Sequence, residues 1–113
     1  MRVCQCPIAR WPGEVVIREP LGWPEYLAWQ RAVQAGADVI ELAGTQADYD
    51  AAIAPGLMAV VSEWRLTGCG APSADGIPAT PRKDSAAFVA WLIGEVTRVV
   101  LGEDTPDPKA SAQ

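Results

Sequence analysis

The cleanest pattern of apolar positions in the chain lies between Thr45 and Leu66. Tyr49, Ile53, Leu57, Val60, Val61 and Trp64 recur at i, i+4, i+8, i+11, i+12 and i+15. At about 100° per residue they cover roughly a third of a helix circumference. The pattern predicts a helix over about 45–66. Thr45 is its cap, and Asp48 three residues later completes a capping-box spacing. Pro55-Gly56 falls inside the run, where proline removes a backbone hydrogen bond and crowds the preceding turn, so a kink or a break is expected there. Gly68 is the expected stop.

A second stripe lies near the C-terminus. Phe88, Val89, Leu92, Ile93, Val96, Val99 and Val100 fall in an arc of about 140°. They predict a helix over about 80–101, with Thr80 as cap and Pro81 in the first turn. A third helix is predicted over about 23–35. Pro24 and Glu25 suit its first turn, Tyr26, Trp29 and Val33 lie on one side, and Gly36 is the stop. The segment "DVIEL" that follows reads either as a short strand or as a further helical turn.

Residues 1–20 read as extended. "EVVIRE" suggests a strand at Val15–Arg18 after the turn signal "WPG", and the alternation in "RVCQCPI" suggests a hairpin partner. Residues 67–79 are rich in Gly, Pro, Ser and Asp and read as a long loop. Residues 103–113 are polar, contain two prolines and show no period, which predicts a disordered tail. The expectation is therefore a single mainly α domain over 1–102. It is a small three-helix, or four-helix, fold with an extended or short β N-terminal segment. The two later stripes face each other and the first helix closes the third side.

Composition narrows the function. Of 113 residues, 50% are hydrophobic and 20% charged, and the net charge is −5. Apart from Arg82-Lys83 the basic residues are scattered singly, whereas nucleic-acid binding needs a basic stripe. The chain has no histidine, which removes the commonest general base and metal ligand near neutral pH. Cys4, Cys6 and Cys69 lack a fourth ligand and the C-x₂₋₄-C spacing of structural zinc. No basic neighbour is at hand to activate a C-x-C redox pair. They read as ordinary reduced thiols of a cytoplasmic protein with no secretory leader. Neither a catalytic group, a metal site nor a cofactor site is expected.

The greasy stretch 85–102 is a poor membrane span. Glu95 and Arg98 would each cost about 2.5–3.5 kcal/mol at a bilayer centre. Trp91 and Leu101 lie off its apolar arc, Trp91 between Ala87, Glu95 and Arg98. Either the first helix and the N-terminal segment cover that side, or it meets a partner. Five tryptophans against one phenylalanine point to a sticky surface, because Trp is enriched among residues that dominate interfaces. Trp23, Trp29, Trp91 and Leu101 are the candidate partner-binding residues.

Three stretches, "IREPLGWPEYLAWQRAV" (17–33), "YDAAIAPGLMAVVSEWRLTG" (49–68) and "IPATPRKDSAAFVAWLIGEV" (77–96), together resemble the small helical tail assembly chaperones of long-tailed bacteriophages and prophages. The resemblance covers about two thirds of the chain. It rests on an E-P-L before the first helix, the E-W-x-L end of the second and the P-A-T-P-R opening of the third, none of which is a catalytic signature. It implies a mainly helical protein of the infected host's cytoplasm that keeps the tape measure protein, or another hydrophobic helical protein, soluble. It also implies self-association into a homo-oligomer. The N-terminal "VCQC" has no counterpart in it. The alternative is another interaction module of mobile-element origin, either a virion component or an acidic inhibitor of a host protein.

Overall fold

The computed structural model describes residues 1–70, 76–78 and 80–102. Three strands and three helices alternate along the chain: β1 (Arg2–Gln5), β2 (Gly13–Ile17), α1 (Trp23–Glu41), α2 (Gln46–Val60), β3 (Val61–Leu66) and α3 (Arg82–Leu101). The three helices and the N-terminal hairpin agree with the sequence reading. The three-stranded sheet makes the fold α/β rather than a helical bundle with an extended arm. The expected disordered tail, 103–113, lies outside the described residues.

The sheet is antiparallel in the order β1-β2-β3. Cys4 pairs with Val15, and Val15 with Trp64. Side chains alternate across a strand, so this register carries Cys4, Val15, Trp64 and Leu66 to the core face. The other face is polar. Glu14 stands opposite Arg65, and the Arg65 guanidinium is 3.0 Å from Glu14 and 3.3 Å from Glu63.

The second helix ends earlier than its stripe predicts. It stops at Val60, and Val61–Leu66 form a strand. Adjacent β-branched valines favour extended backbone. The Val60 carbonyl, which would continue the helix, instead accepts the Arg18 N–H at 3.0 Å. The register of β3 explains the misleading period. Val16 faces Glu63 but Ile17 faces Val61, so Ser62 is an extra residue in the ladder. This bulge puts both Val61 and Trp64, three positions apart, on the core side. Spacings of one, three and four that look helical thus arise from a helix end joined to a bulged strand.

Other boundaries also differ. α1 runs on through Gly36 to Glu41, so "DVIE" is helical and Gly36 is not a stop. A side chain at Gly36 would meet the Tyr49 ring at 2.8 Å, so this glycine is a contact point between helices. Gly56 plays the same part: a Cβ there would lie 2.4 Å from the Ala32 Cβ and 3.2 Å from the Trp29 ring. Pro55 sits inside one continuous helix and does not split it. α1 and α2 therefore pack closely as a helical hairpin, with Trp29, Ala32 and Gly36 buried on α1. The turn between them uses Ala43 at φ 57°, with Gly44 N–H donating to the Val39 carbonyl at 2.8 Å.

The capping box of α2 is present. Asp48 N–H donates to Thr45 Oγ1 at 3.1 Å, and Thr45 N–H to Asp48 Oδ2 at 3.0 Å. These bonds favour the carboxylate and hold Asp48 below its usual pKa. Thr80 is not the cap of α3. Pro81 occupies that position without a side-chain cap bond, and Gly102 closes the far end at φ 73°.

α3 does not simply face α2. Its Phe88 ring lies edge-on to Trp64 of β3 and to Trp11 of the β1–β2 connection, at 5.9 and 6.0 Å. Cys4 Sγ on β1 donates to Glu95 on α3 at 3.5 Å. Phe88, Leu92, Val96 and Val99 join Val15, Ile17, Ile53 and Leu57 in one core. The start of the 67–79 loop is tied down by Trp64 Nε1–H donating to the Gly70 carbonyl at 2.7 Å. Among the described residues no helix is long and apolar enough to cross a membrane.

Candidate functional site

The four residues singled out from sequence have different fates. Trp29 is 4% exposed and wedged against α2, so it supports the helical hairpin and cannot present itself to a partner. Its position one turn from Tyr26 had grouped the two. Trp91 is half-buried, with its ring tilted against Phe88 at 5.8 Å. Trp23 and Leu101, in contrast, are 68% and 66% exposed. They lie far apart in sequence, yet the fold brings them to one corner.

That corner is a groove. The connection from β2 to α1, the first turn of α1 and the last turn of α3 enclose a cavity of about 420 Å³. Leu21, Trp23, Tyr26, Val99 and Val100 give it apolar walls, and Glu19 is its acidic group. Leu101 stands between the lining residues Val100 and Gly102. The indole of Trp23 stacks on the Tyr26 ring at 5.3 Å with an interplanar angle of 28°. An offset aromatic pair of this kind is a rigid apolar plate with few rotamers to freeze on binding.

Local chemistry explains why the groove is held open. Gly22 and Pro24 start α1 with the Trp23 side chain outside the helical hairpin. The floor is fixed by the N-terminus of the chain: the Met1 amino group donates to the Glu19 carbonyl at 3.0 Å, and Arg2 pairs with the Glu19 carboxylate at 2.9 Å. Arg2 is buried and Glu19 partly exposed, so the ion pair braces the wall while one carboxylate edge stays wet.

Tyr26 is the groove residue that sequence reasoning placed elsewhere. It was assigned to the core stripe with Trp29 and Val33, but only Trp29 goes to the core; Val33 is 43% exposed. The signal that could have separated them is the spacing of seven from Tyr26 to Val33 and on to Ile40, which defines its own line along α1.

The cysteines are free. Burial, and then the neighbouring Glu95 carboxylate, push the Cys4 thiol up to about 11. Burial raises Cys6 and Cys69 as well. These groups stay protonated near neutrality, which makes them poor nucleophiles. Among the described residues no cluster of three His, Cys, Asp or Glu side chains is arranged to hold a metal ion.

A second cleft, of about 210 Å³, lies between α2 and α3 and is lined by Leu57, Met58, Ile77 and Val89. The Arg82–Asp50 ion pair stands in its wall. It carries no exposed aromatic group. The chain matches no protein-family model, no curated protein and no solved structure.

Proposed function

We propose that this protein captures an apolar helical protein, and that it is a tail assembly chaperone of a long-tailed bacteriophage or prophage. On this reading it keeps the tape measure protein soluble in the host cytoplasm. The observation that carries the reading is the Trp23–Tyr26 plate, open to solvent at the mouth of an apolar groove. A chaperone of this kind needs apolar surface for its client and net charge to stay dispersed while holding it, and the chain carries −5. The stretch 17–33, the first of the three that resemble tail assembly chaperones, contains the groove residues Glu19, Leu21, Trp23 and Tyr26. The reading assigns the protein no catalytic step.

The test is co-expression with a tape measure protein, reading the soluble fraction of the client. The unmodified chain raises that fraction. Trp23→Ser combined with Leu101→Ser returns it to the level of the client alone, with the circular dichroism and thermal midpoint of the variant unchanged. A client equally soluble with and without the protein contradicts the reading.

A further inference from the structure

α1 has two stripes, and the fold uses one. Trp29, Ala32 and Gly36 face α2. About 120° around the helix, Trp23, Tyr26, Gln30, Val33, Ala37 and Ile40 follow one another at intervals of three and four. This is the a/d spacing of a coiled-coil seam. It extends over about 26 Å of helix. Trp23 and Ile40 are each 68% exposed and Val33 43%; Gln30 and Ala37 are exposed too, and Tyr26 is half-buried at the groove. The seam holds no charged residue. Its two polar groups serve each other, Gln30 Nε2–H donating to the Tyr26 hydroxyl at 2.9 Å. An uncharged a/d seam left open over its whole length is the surface a second helix packs into.

The charges of α1 choose the occupant. Beside the seam stand Glu25, Asp38 and Glu41 with only Arg31 against them, and Glu19 adds to this at the groove. A second copy of the chain would bring the same acidic flanks and another −5 of net charge. A helix with basic flanks finds opposite charge on both sides of the apolar contact. We propose that the outer face of α1, continuous with the groove at Trp23, docks one amphipathic α-helix whose apolar a/d face is flanked by Lys or Arg. This rests on reading the groove as a capture surface and specifies what that surface takes.

The probe is a synthetic helix of about 21 residues, three heptads, with leucine at a and d and lysine at the flanking positions, titrated into the full chain by fluorescence anisotropy. The lysine-flanked helix is expected to bind, and its twin with glutamate at the flanks to bind roughly tenfold or more weakly. Val33→Asp and Ile40→Asp, both at exposed positions, are each expected to weaken binding by about tenfold without moving the thermal midpoint. A scrambled lysine peptide of equal charge that binds as tightly overturns the proposal, since attraction alone then suffices. Equal binding to Val33→Asp and Ile40→Asp, with loss only in Trp23→Ser, also overturns it while leaving the groove reading intact. A dimer in sedimentation that Val33→Asp dissolves identifies a second copy as the occupant and overturns it too.

Discussion

The molecule has two aromatic clusters built from similar residues for opposite ends. Around Phe88, the rings of Trp11, Trp64 and Trp91 close on one another from the β1–β2 connection, β3 and α3. Phe88 has no exposed surface and Trp11 only 2%. At the start of α1, Trp23 and Tyr26 also make a ring pair, but Trp23 keeps 68% of its surface in water. The difference lies in what stands opposite. The buried cluster sits between two layers, so each ring replaces water on both sides. The exposed pair has a layer on one side only. An aromatic residue thus stabilises the fold or offers a surface according to the number of layers that reach it, and composition alone cannot separate the two.

Truncation gives the largest expected contrast between them. Phe88→Ala removes the ring at the centre of the closed cluster and should cost about 3–5 kcal/mol in urea unfolding, a large share of the stability of so small a domain. Trp23→Ala should change stability by no more than about 0.5 kcal/mol. Equal losses from the two would mean that the exposed pair is part of the core.

The glycines sharpen the same contrast at the level of the backbone. Gly56 lies where α1 and α2 touch, and a methyl group there must displace Ala32 or Trp29. Gly56→Ala should destabilise by about 1–3 kcal/mol despite its better helix propensity. Gly94 is also inside a helix, but no atom lies within 4 Å of its added Cβ. Gly94→Ala should stabilise by about 0.5–1 kcal/mol. Thermal midpoints moving in the same direction for both would contradict the close helical hairpin.

A smaller effect comes from the thiol under the core. Cys4 is 8% exposed, and its folded pKa of about 11 exceeds the ordinary value of 9.0. The folded state therefore holds its proton more tightly than the unfolded state. This contribution to stability is complete below pH 9 and is lost as the pH rises through about 11. Cys4→Ala should flatten part of the decline in urea midpoint over that range. An unchanged alkaline slope would show that Cys4 is not held in an acidic, dehydrated place beside Glu95.

These contrasts also show what was legible in the residues. The capping box, the N-terminal hairpin, and the presence and order of three helices follow from local chemistry at Thr45 and Asp48, from alternation in β1, and from the 3.6-residue period of α3. The strand at Val61–Leu66 was not legible, because a bulge at Ser62 makes a strand continue a helical spacing. The length of α1 was not legible either. Gly36 looks like a terminator until Tyr49 of another helix is seen filling the space above it. Of the candidate surface, Trp23 and Leu101 could be named individually from their mismatch to the apolar arcs or their place at a helix start. That they share a corner depends on how α3 ends beside the β2–α1 connection, which is a tertiary fact.

The most direct test is a chemical-shift footprint of the full ¹⁵N-labelled chain titrated with the lysine-flanked helix. The shifts should gather on the Trp23 indole N–H and on the backbone of Tyr26, Val33, Ile40 and Leu101, with Trp11, Trp64 and the polar face of the sheet unmoved. Shifts centred on the sheet or on the Phe88 cluster, with α1 unmoved, would contradict the assignment of α1's outer face as the surface that receives a partner.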